Sequence, residues 1–333
     1  MPDQRTPSSA LEGQIASQPA ELARLLDEPL PHDVVEGLRQ AHRIWLVGTG
    51  TSQHAAELGA MLFHDAGRGA HAMSSMHFVN WAPPIDLKDA LILISHNAGT
   101  ETAYAGAAWT IAVDAGLGVV PITRRGGTMP RAIQTVDKET SHTYTVSYTA
   151  VLLLLARLAL ELGAESFDGD ALSTIPQAVG AALASPGTES IPAPERLLVL
   201  TGEGPAAVTA REGALKLREA ARVAAEGYDV EPLLHGHAVP LDARDRMVAL
   251  TPPDTDGLVD GVAAAAERAG VAVTRLHEPS GLPPILAQTP LVTRLQLLAS
   301  RLSAERGTNP DVAIEGPWAD EALWAIGSPD ARR

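Results

Sequence analysis

Two stretches of the chain share one local pattern. In 43-RIWLVGTGTSQHAAELGAMLF-63 and again in 196-RLLVLTGEGPAAVTAREGALKL-217, an apolar run meets a Gly-x-Gly turn and passes into an Ala-rich helical pattern. An apolar run without polar alternation reads as a strand covered on both faces, and a helix directly after it is the connection a parallel sheet requires. The repetition points to an internal duplication.

Further segments fit the same scheme. The stretch 89-DALILISHNAGTETAYAGAAW-109 is again strand, polar turn and helix, and 117-LGVVPITRR-125 is a short strand. Later, 246-RMVALTPP-253 and 270-GVAVTRLH-277 read as strands flanking the helical 256-DGLVDGVAAAAERAG-270. The expected fold is α/β, with two doubly wound three-layer αβα domains around central parallel sheets. We expect a helical segment over 1–34, a first domain over 35–185, and a second over 186–333 beginning in the Pro-rich 186-PGTESIPAP-194. Within the opening segment, Leu11 to Leu26 suits an amphipathic helix interrupted near Gln18-Pro19.

A chain of 333 residues with 45% hydrophobic content can bury a full core. The formal net charge of −15 and the lack of a basic run argue against nucleic acid as a partner. There is no Cys, which removes disulfides, thiolate catalysis and Cys-ligated zinc. The longest apolar run, 150-AVLLLLARLAL-160, is broken by Arg157 and too short to span a bilayer, and no signal pattern stands at the N-terminus. No membrane association is expected, and the location expected is cytoplasmic. Lysine occurs only as Lys88, Lys138 and Lys216, which confines Schiff-base chemistry to three positions.

Three turns follow apolar runs. The first, 48-GTGTS-52, offers free N–H groups at a helix start, but it lacks the third Gly and the acidic residue of a dinucleotide fingerprint, so NAD is not expected. The second, 95-SHNAGTET-102, presents Ser95, Asn97, Thr100 and Thr102 as short neutral hydrogen-bonding groups, a set suited to a phosphate monoester. Ordinary turn and cap chemistry is the competing reading of those residues. In the third, 202-GEGPA-206, Glu203 would repel an anion.

The chemistry is concentrated in 211-REGALKLREAARVAAEGY-228. At about 100° per residue, Glu212, Lys216 and Glu219 return to within roughly 60° of one another and share a helix face. Such spacing is also what an exposed helix uses for surface ion pairs. Two histidines, His235 and His237, follow in 234-LHGHAVPLD-242. As an H-x-H pair they lack further clustered ligands, and neither a metal nor a cofactor is expected.

Taken together, these residues resemble the sugar isomerase (SIS) family, and specifically the isomerase half of glucosamine-6-phosphate synthase. The matching elements are 14-QIASQP-19, 47-VGTGTS-52, 94-ISHNAGTET-102, 212-EGALKLRE-219, 226-EGYDVEPLLHG-236 and 306-RGTNPD-311, in family order and over nearly the whole chain. The resemblance implies two doubly wound domains, commonly paired into homodimers whose active sites draw on both subunits. It implies phosphate binding at Ser95, Asn97 and Thr100, with Thr51 and Ser52 nearby; because the loop is one residue longer than the usual S-x-S-G-E-T, Thr102 is the alternative to Thr100. It also places Glu219 on the carboxylate that moves a proton between C1 and C2, Glu212 and Lys216 on its partners, and His235 on the ring-opening histidine, often supplied by the neighbouring subunit.

Those roles are chemically coherent. Ring opening needs proton handling at O1 and O5, which an imidazole near its ordinary pKa performs. Enediol transfer needs a carboxylate at C1 and C2, and a nearby ammonium keeps that carboxylate ionised.

The departures are also informative. Without Cys there is no nucleophile for glutamine hydrolysis, so glutamine is not the expected ammonia source. The stretch 309-NPDVAIEGPWADEALWAIG-327 contains no lysine where the synthase has one, near Trp318, so no imine is expected from it. The family's S-T-K segment appears as 139-ETSHTYTVSYTAVLLLLARL-158, also without its lysine, leaving Glu139 and Thr143 as pocket-lining or packing residues. His237 replaces a proline. The function implied is a phosphosugar aldose–ketose isomerase, or a related deaminase or deglycase, acting on a hexose or aminohexose 6-phosphate. The competing class is a non-catalytic sugar-phosphate-binding regulator; about 40 residues precede the first strand, with no basic recognition pattern among them.

Overall fold

In the computed structural model, described over residues 8–81, 84–97, 103–253 and 256–325, the uninterrupted apolar runs become the interior strands of two sheets. The first sheet holds β1 (Ile44–Gly48), β2 (Ala70–Ser74), β3 (Ala90–Ile94), β4 (Gly118–Thr123) and β5 (Ile133–Gln134), in the order β2-β1-β3-β4-β5. The second holds β6 (Leu198–Gly202), β7 (Ala225–Asp229), β8 (Arg246–Thr251) and β9 (Ala272–His277), in the order β7-β6-β8-β9. Every pairing is parallel. Strands β1, β3 and β6 are buried at all positions, the condition their lack of alternation requires.

Successive residues of a strand face opposite ways, and both sheets use both faces. In the second, Leu198, Leu200, Val248 and Leu250 pack with Ala210, Ala214 and Leu217 of the helix Pro205–Ala221 and with Leu291, Leu295 and Leu298 of the helix Gln288–Arg306. Their neighbours Val199, Met247 and Ala249 pack on Val259, Val262 and Ala263 of the helix Leu258–Arg268. In the first, Trp45, Val47, Leu91 and Leu93 cluster with Phe78, Ala105 and Ala108. Leu46, between Trp45 and Val47, meets the helix Thr51–Asp65 so closely at Gly59 that a Cβ there would lie 2.6 Å from its Cδ2. Each sheet is therefore the middle of three layers, as the sequence pattern implies.

The two compact units are discontinuous in sequence. One contains Glu21–Lys138 and Ser147–Thr174 with the first sheet; the other contains the described chain up to Ala20, Glu139–Val146 and Ile175–Ala313 with the second.

The two Gly-x-Gly turns have closely similar backbone angles. Gly50 has φ 56° and ψ −123°, and Gly204 has φ 53° and ψ −119°, values open to glycine and strained for other residues. The first glycine of each turn is required for a different reason. A Cβ on Gly48 would lie 2.5 Å from the Ser52 carbonyl group, and one on Gly202 would lie 2.6 Å from Ala206 Cβ.

One expectation is corrected. The opening helix is not interrupted at Gln18-Pro19 but runs unbroken over Ala10–Asp27. Proline at position 19 has no N–H for the carbonyl four residues back, which is that of Ile15. The fully buried Gln18 supplies the substitute: its Nε2 donates to Ile15 O at 3.2 Å and to Gln296 Oε1 at 2.8 Å. A side-chain amide thus completes the helical ladder.

Candidate active site

The helix Pro205–Ala221 starts with proline at its first turn, where the missing N–H costs nothing, and ends at Arg222 in the left-handed region. Alanines and one glycine let it lie close between strand and neighbouring helix. A Cβ on Gly213 would stand 2.4 Å from Leu295 Cδ1. Close packing on both sides buries positions that the i, i+4 spacing alone would assign equally well to a wet surface.

Lys216 and Glu212 are fully buried, and their charged ends lie 3.4 Å apart. Lys216 Nζ also donates to Glu219 Oε2 at 2.7 Å, and that carboxylate keeps 22% of its side chain exposed. Burial opposes the lysine's charge, but the carboxylates of Glu212 and Glu219, with Glu139 adding to their field, hold the ammonium above its ordinary pKa. Lys216 is therefore a fixed cation at neutral pH, unsuited to act as a free amine nucleophile. The exposed-surface reading of this face does not hold.

Glu139, of which the sequence says little, is part of the same charge balance. It is 3% exposed, and both its oxygens accept from Thr145 N, at 3.0 and 3.2 Å. With its amide turned to satisfy its neighbours, Gln14 donates to Glu139 Oε2 at 3.1 Å. Three carboxylates thus share one buried ammonium. Thr143, by contrast, is tied to packing: its Oγ1 donates to Pro310 O at 2.8 Å.

The histidines follow β7 in the turn Leu233–His237, where Gly236 adopts φ 126°. His235 is exposed, lies beside the exposed Leu234 and Val239, and makes no hydrogen bond to Glu212, Lys216 or Glu219. His237 stacks on Tyr228 with ring centroids 4.6 Å apart. Among the described residues no group of three or more His, Asp or Glu is arranged to hold a metal ion.

In the other unit, Thr51 and Ser52 open the helix after β1, while Ser95, His96 and Asn97 follow β3. Strands β1 and β3 are adjacent, and the sheet's connections diverge between them, which makes their carboxyl ends the crevice of a doubly wound sheet. Ser95 and Asn97 are each 8% exposed. Thr100 and Thr102 lie outside the described residues.

The turn is clamped to the end of β4: Ser95 N donates to Ile122 O, and Arg124 N donates to His96 O, both at 3.0 Å. Burial, then the charges of Arg124 and Lys138, push the His96 imidazole down to about 4. In the second sheet, Glu203 stands where the first has Thr49, and burial together with Asp256 and Asp229 raises its pKa. Neither the burial of His96 nor the approach of Arg124 is signalled by spacing in the sequence.

The SIS domain model matches residues 37–160. The glutamine–fructose-6-phosphate aminotransferase (isomerizing) of Pyrococcus horikoshii is 29% identical over 311 residues, covering 84% of this chain and 51% of the relative. That of Thermococcus kodakarensis is 28% identical, with 84% and 52% covered. The chain spans about half the length of these curated relatives.

Among solved structures, the tagatose-6-phosphate ketose/aldose isomerase of Escherichia coli has a TM-score of 0.77 at 22% identity, covering 94% of this chain and all of that one (100%). The glucosamine-6-phosphate deaminase of Thermotoga maritima has a TM-score of 0.76 at 18% identity, with 91% and 97% covered. The C-terminal domain of the Francisella tularensis aminotransferase has a TM-score of 0.75 at 19%, with 92% and 98% covered. At these identities the structures establish a shared fold. The chain thus matches the SIS domain over residues 37–160, shares its fold with these solved structures, and is similar over most of its length to about half of the glutamine–fructose-6-phosphate aminotransferases.

Proposed function

We propose that the chain is a phosphosugar isomerase of the aldose–ketose type, or a deaminase or deglycase using the same proton transfer, acting on a hexose or aminohexose 6-phosphate. The observation that carries this reading is the helix face on which a buried ammonium joins the buried Glu212 to the partly exposed Glu219. A surface ion pair has no need of a buried lysine, and a binding site for a neutral sugar has no need of a charge relay.

In this mechanism Glu219, the member of the group open to solvent, takes the proton from one of C1 and C2 and returns it to the other. Lys216 keeps Glu219 ionised before the transfer. Glu212 holds the lysine in place. His235 moves the protons of ring opening. Thr51, Ser52, Ser95 and Asn97 are assigned to the phosphate, together with Thr100 or Thr102. Because His235 is exposed and makes no hydrogen bond to Glu212 or Glu219 among the described residues, we assign it to the site of a second copy in a homodimer. The whole-chain activities of the curated relatives provide the substrate class.

The test is proton NMR of hexose and 2-aminohexose 6-phosphates incubated with the protein in D₂O. Deuterium entering at C1 or C2 of one sugar identifies the shuttle and its substrate, and ammonia in the same tube marks a deaminase. Binding without exchange across the panel would replace the enzyme with a sugar-phosphate sensor.

A further inference from the structure

The four groups assigned to the phosphate on the turn after β3, Ser95, Asn97, Thr100 and Thr102, are all uncharged, and Glu101 between the last two lies outside the described residues. The fold adds a cation. Strands β3 and β4 pair with Ile94 opposite Ile122, and the ladder continues beyond them through Ser95 N to Ile122 O and Arg124 N to His96 O. Arg124 is thereby held beside the segment Ser95 to Asn97.

Its side chain is incompletely used. Nη1 donates to Arg125 O at 3.0 Å, while Nε is buried and has no hydrogen-bond partner among the described residues. Arg124 pairs with no carboxylate among the described residues, although its neighbour Arg125 meets Asp137 at 3.1 Å and Glu21 at 3.8 Å. An arginine stays charged at every relevant pH, and a buried N–H left unsatisfied is costly. In a chain of net charge −15, carboxylates for pairing are abundant. The positive field reaches the turn itself, because the charges of Arg124 and Lys138 both oppose protonation of His96.

We infer that Arg124 is the charged member of the anion-holding turn, where it selects a doubly charged phosphate monoester over singly charged groups of similar shape. Ser95 and Asn97 provide direction through neutral hydrogen bonds, and these discriminate little between a phosphate and a sulfate ester. The guanidinium provides the charge term, which grows with the ligand's charge. This inference rests on the phosphate reading of the turn.

The test uses methyl phosphate and methyl sulfate, probes that carry no sugar, titrated at pH 8 into the wild-type chain, Arg124→Gln, Arg124→Lys and Ser95→Ala. Binding is read by NMR, with folding checked by circular dichroism. The expected result is that the wild type prefers methyl phosphate, that Arg124→Gln weakens methyl phosphate about tenfold or more with little change for methyl sulfate, and that Arg124→Lys retains part of the preference. If Ser95→Ala loses methyl phosphate while Arg124→Gln binds it as the wild type does, the role of Arg124 is overturned and the phosphate turn stands. If the wild type binds neither probe, or Ser95→Ala and Arg124→Gln both bind normally, the phosphate reading falls and the inference falls with it.

Discussion

Lys216 has no solvent exposure, yet its ammonium lies 2.7 Å from the carboxylate of Glu219, which has 22%. One ion pair therefore spans the boundary between core and solvent. Removing the cation leaves Glu212 and Glu219 without their shared counter-ion. Loss of one member of a buried pair costs about 3–5 kcal/mol. Lys216→Met should show a loss of that size in urea unfolding, and adding Glu212→Gln should recover part of it. Equal stability of Lys216→Met and the wild type would show the group to be more hydrated than its burial indicates.

Glu219→Gln keeps the shape of the side chain and removes its basicity. The variant should remain folded and bind the sugar phosphate with near-normal affinity, while deuterium exchange at C1 and C2 falls by roughly 10²–10⁴. Exchange at the wild-type rate would move the proton transfer to another residue.

His96 makes stability depend on pH. With its folded pKa pushed to about 4 from an ordinary 6.5, the unfolded chain takes up this proton first as the pH falls. Its contribution is complete above pH 6.5 and is lost progressively between 6.5 and 4. The full span is on the order of 3 kcal/mol. The difference in unfolding free energy between wild type and His96→Gln, measured at pH 7.5 and at pH 4.5, should therefore shrink at the lower pH. A difference independent of pH would exclude the buried neutral imidazole.

Two glycine substitutions should part in sign. Gly48→Ala sets a methyl group 2.5 Å from the Ser52 backbone and should cost at least about 1–3 kcal/mol. It should also weaken phosphate-ester binding, because Ser52 and Thr51 must shift. Gly261→Ala, exposed in the helix Leu258–Arg268 with nothing within 4 Å of the added carbon, should gain about 0.5–1 kcal/mol. Thermal unfolding of the two variants is sufficient to decide.

What could be read from sequence follows the range of the forces involved. Strands β1, β3 and β6 were legible because burial on both faces leaves a mark within five consecutive residues. The shared face of Glu212, Lys216 and Glu219 follows from helix geometry, but its burial depends on close packing at Gly213 against Leu200 of the preceding strand and against Leu295, which lies far away in sequence.

The unbroken helix at Pro19 was illegible for a local reason. Pattern rules count the missing N–H and do not foresee that Gln18 will supply another. Arg124 reaches the turn after β3 only through strand pairing, and Glu139 enters the field of Lys216 only through tertiary packing. No spacing rule encodes either approach.

The nearly equal dihedrals of Gly50 and Gly204 separate the path of the main chain from the charge carried on it. One backbone mould now presents Thr49, Thr51 and Ser52 in the first copy and Glu203, Pro205 and Ala206 in the second. Since the path of the main chain is set by the glycines, the electrostatic sign of either socket can be rewritten by side-chain replacement alone. The two turns thus share one main-chain path and differ in the charge that their side chains present.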